Sequence, residues 1–143
     1  MSADYPSMTT AEIRSKFLNF FEERGLKLYP SSSLVPDDPS LLLANAGMNQ
    51  FKEYYQGKKT MKEIGAISCQ KCVRTNDIDC IGEDGRHLSF FEMLGDFSFG
   101  GVSKQQACAW AFELITKEFK LPLDRLYFTV FTAVSYTHLT LPT

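Results

Sequence analysis

The sequence predicts an α+β fold, an antiparallel sheet with helices flanking it. Three observations lead there. Two β-rich runs, residues 64–74 and 87–99, are joined by a polar loop at 75–86. Amphipathic stretches with helical spacing lie before and after that pair. Strands and helices do not alternate strictly, so the pattern differs from a doubly wound parallel sheet.

The first helix starts at Thr9, which has capping-box spacing to Glu12, with Met8 and Ile13 placed for a hydrophobic staple. Ile13, Phe17, Phe20 and Phe21 fall on one face, and Gly25 supplies the stop. Residues 29–40 hold three prolines and four serines and read as an irregular connection. Leu41–Ala44 reads as a short buried strand. Asn45–Phe51 reads as a turn whose Gly47 brings backbone close to a ligand. Residues 52–63 are lysine-rich and read as an exposed loop or short helix, and Lys58, Lys59 and Lys62 as a solvated face.

After the strand pair, Gly100 and Gly101 break the chain, and Ser103 with Gln106 forms a second capping box. The helix that follows carries a stripe of Cys108, Phe112, Ile115 and Phe119, with Cys108 expected in the core. Pro122 ends it, and Leu126–Phe131 is a last β-rich run. Residues 1–133 form one domain. Residues 134–143 match one reading frame of a transposon-end adapter, so they are expected to be an artefact tail on a truncated reading frame, and His138 carries no functional weight.

Composition narrows the function. Of 143 residues, 44% are hydrophobic and 22% charged, which suits a folded domain rather than a disordered chain. A formal charge of -2 gives no global basic field, so any nucleic acid must meet a local patch. No apolar run approaches the roughly 20 residues that span a bilayer, and the N-terminus lacks a secretory pattern. Four cysteines without such a signal read as thiols, and the cytoplasm is the expected location.

Arg74 ends an apolar strand and leads into a loop with Asn76, Asp77, Asp79, Glu83 and Asp84. It reads either as the counter-charge of that loop or as a planar cation for a phosphate. Phe90 and Phe91 must point to opposite faces of their strand. One of them, with Phe91 preferred, can stack on a base. Cys69, Cys72, Cys80 and His87 raise a zinc site, but a strand puts Cys69 and Cys72 on opposite faces.

Four ordered segments resemble the alanyl-tRNA synthetases, a family of class II aminoacyl-tRNA synthetases. They are Thr10–Arg14 with Phe17 and Phe20–Phe21; Ser31–Pro36; Asn45–Lys52; and Cys72–Gly100, the last including Phe90-Phe-Glu-Met-Leu-Gly95. Together they cover residues 9–131. The resemblance implies the N-terminal part of a class II catalytic domain over residues 1–133. It implies a ligase that activates alanine with ATP and Mg2+ and passes it to tRNA(Ala). Arg74 is then the catalytic cation at the α-phosphate and substrate carboxylate. Arg86 and His87 approach the outer phosphates, Phe91 holds the adenine, and Met48 lines the same cleft. For Asp77 and Asp79 the resemblance implies orientation of the arginine or contact with the tRNA acceptor end.

The chain departs from the family's pattern at Leu88, where a second histidine is common, at Asp96, and at Gly101–Lys104. The family's third motif, its alanine-selecting groups and its zinc-bearing editing domain are not in this sequence. The fragment alone is therefore expected to give little alanine-dependent pyrophosphate exchange. The alternative reading is a non-catalytic ATP- or RNA-binding module derived from the same fold.

Overall fold

The computed structural model of the protein describes residues 7–76 and 78–129. These fall into two compact units, one within residues 17–101 and one of residues 7–16 with 102–129. Helix α1, Thr10–Glu22, begins in one and ends in the other. Its start is the anticipated capping box. Glu12 Oε2 accepts from the Thr9 amide at 2.7 Å, and the Glu12 amide donates to Thr9 Oγ1 at 3.3 Å.

The end of α1 is a Schellman close. The Leu26 amide reaches Phe21 O and the Gly25 amide reaches Glu22 O, at 3.1 and 2.9 Å. Leu26 and Phe21, the apolar pair of that motif, are both 3% exposed. The chain leaves as β1, Lys27–Leu28, which pairs in parallel with β2, Gly65–Val73. β2 pairs in turn with β3, Phe90–Ser98, antiparallel over nine residues from Gly65↔Ser98 to Val73↔Phe90. The antiparallel ladder is thus the body of the sheet, and the two-residue parallel β1 makes it mixed.

Alternation assigns the faces. Ala66, Ser68, Gln70 and Cys72 share one face with Phe91, Met93, Gly95 and Phe97, and those four β2 residues are fully buried. The 3-10 turn Gly47–Phe51 and the short helix α2, Lys52–Tyr55, follow one another, and the turn packs on the sheet. A Cβ on Gly47 would come within 3.1 Å of the Phe97 ring, so a glycine here lets the turn approach the sheet closely. Phe51, 1% exposed, sits among Tyr29, Phe97 and Phe99 with ring centroids 5.4, 4.8 and 5.9 Å away. Burying such a ring contributes about 1.5–3 kcal/mol.

One polar side chain organises this face. Gln70 Oε1 accepts from the Ser32 amide at 2.8 Å, Ser32 Oγ at 3.0 Å and Gln50 Nε2 at 3.1 Å, and its Nε2 donates to Lys71 O at 2.8 Å. A buried amide must find partners. Here the partners are the serine-rich connection and the 3-10 turn, so both are fastened to β2. The predicted strand at 41–44 does not form. Ala44 contributes single hydrogen bonds instead, its carbonyl accepting from the Val73 amide at 2.9 Å. That places it along the edge of β2 beyond the short β1.

In the other unit, Ser103 caps α3, Lys104–Glu113, with Oγ accepting from the Gln106 amide at 3.2 Å. A π-helical turn, Leu114–Glu118, continues it. The expected core stripe is corrected here. Cys108 is exposed, and Leu114 is the buried residue of this stretch. The π turn shifts only the residues after Glu113 out of register with a 3.6-residue stripe, whereas Cys108, before it, is exposed because no surface of the described residues covers that part of the helix. Residues 126–129 form no strand, and 130–143, with the anticipated tail, lie outside the described residues.

Candidate nucleotide site at the end of the hairpin

Where the β2–β3 ladder ends, the Arg74 amide donates to Ser89 O at 2.9 Å. This continues the register one step and keeps the arginine on the Phe91 side of the sheet. Its Nε donates to Asn45 O at 2.9 Å, and the guanidinium carbon lies 5.4 Å from the Phe91 ring centroid. Such a separation is within cation–π range. The fork is therefore held by a backbone carbonyl on one side and a ring on the other. Its two terminal amino groups remain for a bidentate acceptor.

Arg74, Ile81, Arg86, His87, Leu88 and Phe91 enclose a cavity of about 290 Å³. Four residues singled out from the sequence thus come together, two cations, an imidazole and an aromatic ring. Phe91 is half-buried, while Phe90, on the opposite face, is 51% exposed. Met48 is 49% exposed and is not part of this lining. Asp79, in the 3-10 turn Ile78–Cys80, is exposed and also outside it. Asp77 lies outside the described residues.

Asp84 is the residue that sequence reasoning missed. Its Oδ1 accepts from the amides of Arg86 and His87 at 2.8 and 3.0 Å, and its Oδ2 lies 2.5 Å from His87 Nδ1. The hydrogen bonds from the His87 and Arg86 amides, then from the His87 ring, bring its carboxyl down to about 2. Gly85, at φ +66°, makes the tight return that lets one carboxylate serve all three donors. The signal was present as an Asp-Gly pair, the usual mark of a side chain closing its own turn.

The cysteines do not converge. Cys72 is buried beneath the sheet face, its sulfur 3.5 Å from Gln70 O, whereas Cys80 is exposed in the loop. Burial pushes the Cys72 thiol up, against the opposing pull of Arg74, which keeps it protonated and a poor metal ligand. Among the described residues no group of three or more His, Cys, Asp or Glu side chains is gathered as a metal would require. The described residues thus offer no protein cage for zinc or Mg2+.

A larger cleft of about 620 Å³ lies between the 32–39 connection and residues 49–59. Two pairs of its charges answer each other, Asp38 with Lys52 at 2.5 Å and Glu53 with Lys59. Lys52 and Ser40 hold the Asp38 carboxyl well below the usual range. The smaller cavity has the opposite character, with two arginines and an open ring on its walls.

Comparison with known proteins shows the family. The profile of the family described as tRNA synthetases class II (A) matches residues 12–137. The chain belongs to the class II tRNA synthetases. It is 56% identical over 119 residues to the chloroplastic/mitochondrial alanine–tRNA ligase of Sorghum bicolor, covering 83% of this chain and 12% of that protein. It is 51% identical over 131 residues to the alanine–tRNA ligase of Synechocystis sp., covering 92% and 15%. With that of Pseudothermotoga lettingae it shares 52% over 124 residues, covering 87% and 14%. The chain thus spans about an eighth to a seventh of the length of these synthetases. Among the described residues no helix is long and apolar enough to cross a membrane.

Proposed function

We propose that this chain is part of an alanine–tRNA ligase and supplies the phosphate-binding side of its ATP site. The reading is carried by the Arg74–Phe91 arrangement over a cavity that also takes Arg86 and His87. ATP fits this donor set, with a planar ring for the adenine and fixed cations for the triphosphate. In the reaction an oxygen of the alanine carboxylate attacks the α-phosphorus, the bond to the β-phosphate oxygen breaks, and pyrophosphate leaves. A hydroxyl of the tRNA terminal adenosine then attacks the carbonyl carbon, and AMP departs.

The first step brings two anionic groups together. Arg74 lowers that barrier because its charge is permanent and its fork is already oriented by Asn45 O, so little reorganisation accompanies the transition state. Arg86 and His87 would meet the β- and γ-phosphates. Class II synthetases work with a divalent metal, and Mg2+ would add charge neutralisation at the phosphates. The described residues offer it no cage, so it would be carried largely by ATP itself.

The proposed substrates are alanine, ATP and tRNA(Ala), with Asp77 and Asp79 the candidates for the tRNA acceptor end. The proposed location is the cytoplasm, with an organelle as the alternative that the Sorghum relative's name favours. Calorimetric titration of ATP into the chain tests the site. Saturable binding that Arg74→Ala weakens by roughly tenfold or more upholds it, and binding unchanged by that substitution overturns it.

A further inference from the structure

We propose that Asp84 is a positioning residue that fixes His87 in the tautomer carrying its hydrogen on Nδ1, so that the ring can hold a phosphate in the cavity only as the imidazolium. Anion binding there is then linked to uptake of one proton. The inference rests on the reading of this cavity as a phosphate site.

An ionised carboxylate only accepts hydrogen bonds. Both oxygens of Asp84 are engaged by donors, Oδ1 by two backbone amides and Oδ2 by the His87 ring. With its carboxyl down at about 2, Asp84 is ionised at any working pH and has no hydrogen to donate. Nδ1 must therefore carry the hydrogen of this contact. A neutral imidazole has only one N–H, so Nε2 is then a lone pair, which repels a phosphate oxygen. Protonation gives Nε2 a hydrogen and turns it into a donor. The ring would then bridge two anions, Asp84 on one side and phosphate on the other. Among the described residues, the charged groups beside it are Asp84 in its own loop, with Arg74 and Arg86 lining the same cavity. Ile81, Leu88 and Phe91 complete the walls.

The substitution Asp84→Asn separates this role from simple support of the loop. The amide oxygen can keep both backbone hydrogen bonds, but its NH2 must face Nδ1. The neutral ring then takes the other tautomer and offers an Nε2–H to the cavity at all pH values. The chain has two histidines, so nitrogen NMR is done in a His138→Gln background. At pH 8 the ring of the Asp84 protein should carry its hydrogen on Nδ1, and that of Asp84→Asn on Nε2. ATP affinity of the Asp84 protein should fall severalfold more between pH 6 and 8 than that of Asp84→Asn. Protonation of ATP itself is common to both proteins and cancels in that difference.

An Nε2–H ring in the Asp84 protein, or equal pH slopes in the two proteins, overturns the proposal. Pyrophosphate serves as a second probe, since it needs no adenine contact. A pyrophosphate slope removed by Asp84→Asn, without ATP binding, upholds the linkage and rejects the nucleotide reading. No binding of either anion by either protein overturns the linkage as well.

Discussion

Two stretches of the β2–β3 ladder obey opposite rules. Along the covered stretch, Gln70 lies under Ser32 and Gln50 with Phe51 in a ring cluster beside it, and the hydrogen bonds of the amide are made within the protein. At the open end, Arg74, Arg86 and His87 are exposed, and only part of their donor capacity is used internally. A strand can thus be a structural anchor and a ligand platform within a few residues. The transition comes where the covering turn stops and Ala44–Asn45 takes over the edge of β2.

Substitutions should separate the covered stretch from the open end. The largest effect belongs to Phe51→Ala, which should cost about 3–5 kcal/mol of stability for a buried aromatic, as read by denaturant unfolding. A cost below about 1 kcal/mol would mean that the covered stretch is not the anchor. Arg74→Ala should do the reverse. Losing a charge-assisted hydrogen bond of about 1.5–3 kcal/mol weakens ATP binding by roughly 10- to 150-fold. Stability should change by about 0.5 kcal/mol or less, since the side chain is exposed. A large loss of stability would instead make Arg74 a structural residue.

Next comes the ring pair. Phe91→Ala should weaken ATP binding by about 1–3 kcal/mol, the range for one stacked base, while Phe90→Ala on the opposite face leaves affinity unaltered. Equal effects of the two would break the assignment of faces. Gln70→Ala should destabilise the fold by about 1–3 kcal/mol through the donors it orphans. The loss should appear as faster hydrogen exchange at the Ser32 amide.

The smallest effect is one of pH. Asp84 titrates at about 2 in the folded chain against an ordinary 3.8. A depressed carboxyl contributes its hold above the unfolded value and loses it as pH falls toward the folded one. The amide shifts of Arg86 and His87 should therefore change together with a midpoint near pH 2, and stay flat in Asp84→Asn. A change centred near pH 4 would mean that the turn does not engage the carboxylate.

Much of this was legible in the residues themselves. Local chemistry fixed the ends of α1 and the start of α3, because capping boxes and a Gly close act within a few residues. Period-two alternation placed Phe90 and Phe91 on opposite faces and parted Cys69 from Cys72. The antiparallel pair, Arg74 at its end and Phe91 on the neighbouring strand were likewise readable in order along the chain.

Contacts distant in sequence were decided by tertiary structure. Gln70 meets Ser32 across 38 residues, and Arg74 meets Asn45 across 29. No local pattern encodes such a partner. The failed strand at 41–44, the exposed Cys108 and the placement of Met48 outside the cavity have the same origin. Propensity describes what a segment can form alone, whereas burial depends on which surfaces the rest of the chain brings to it.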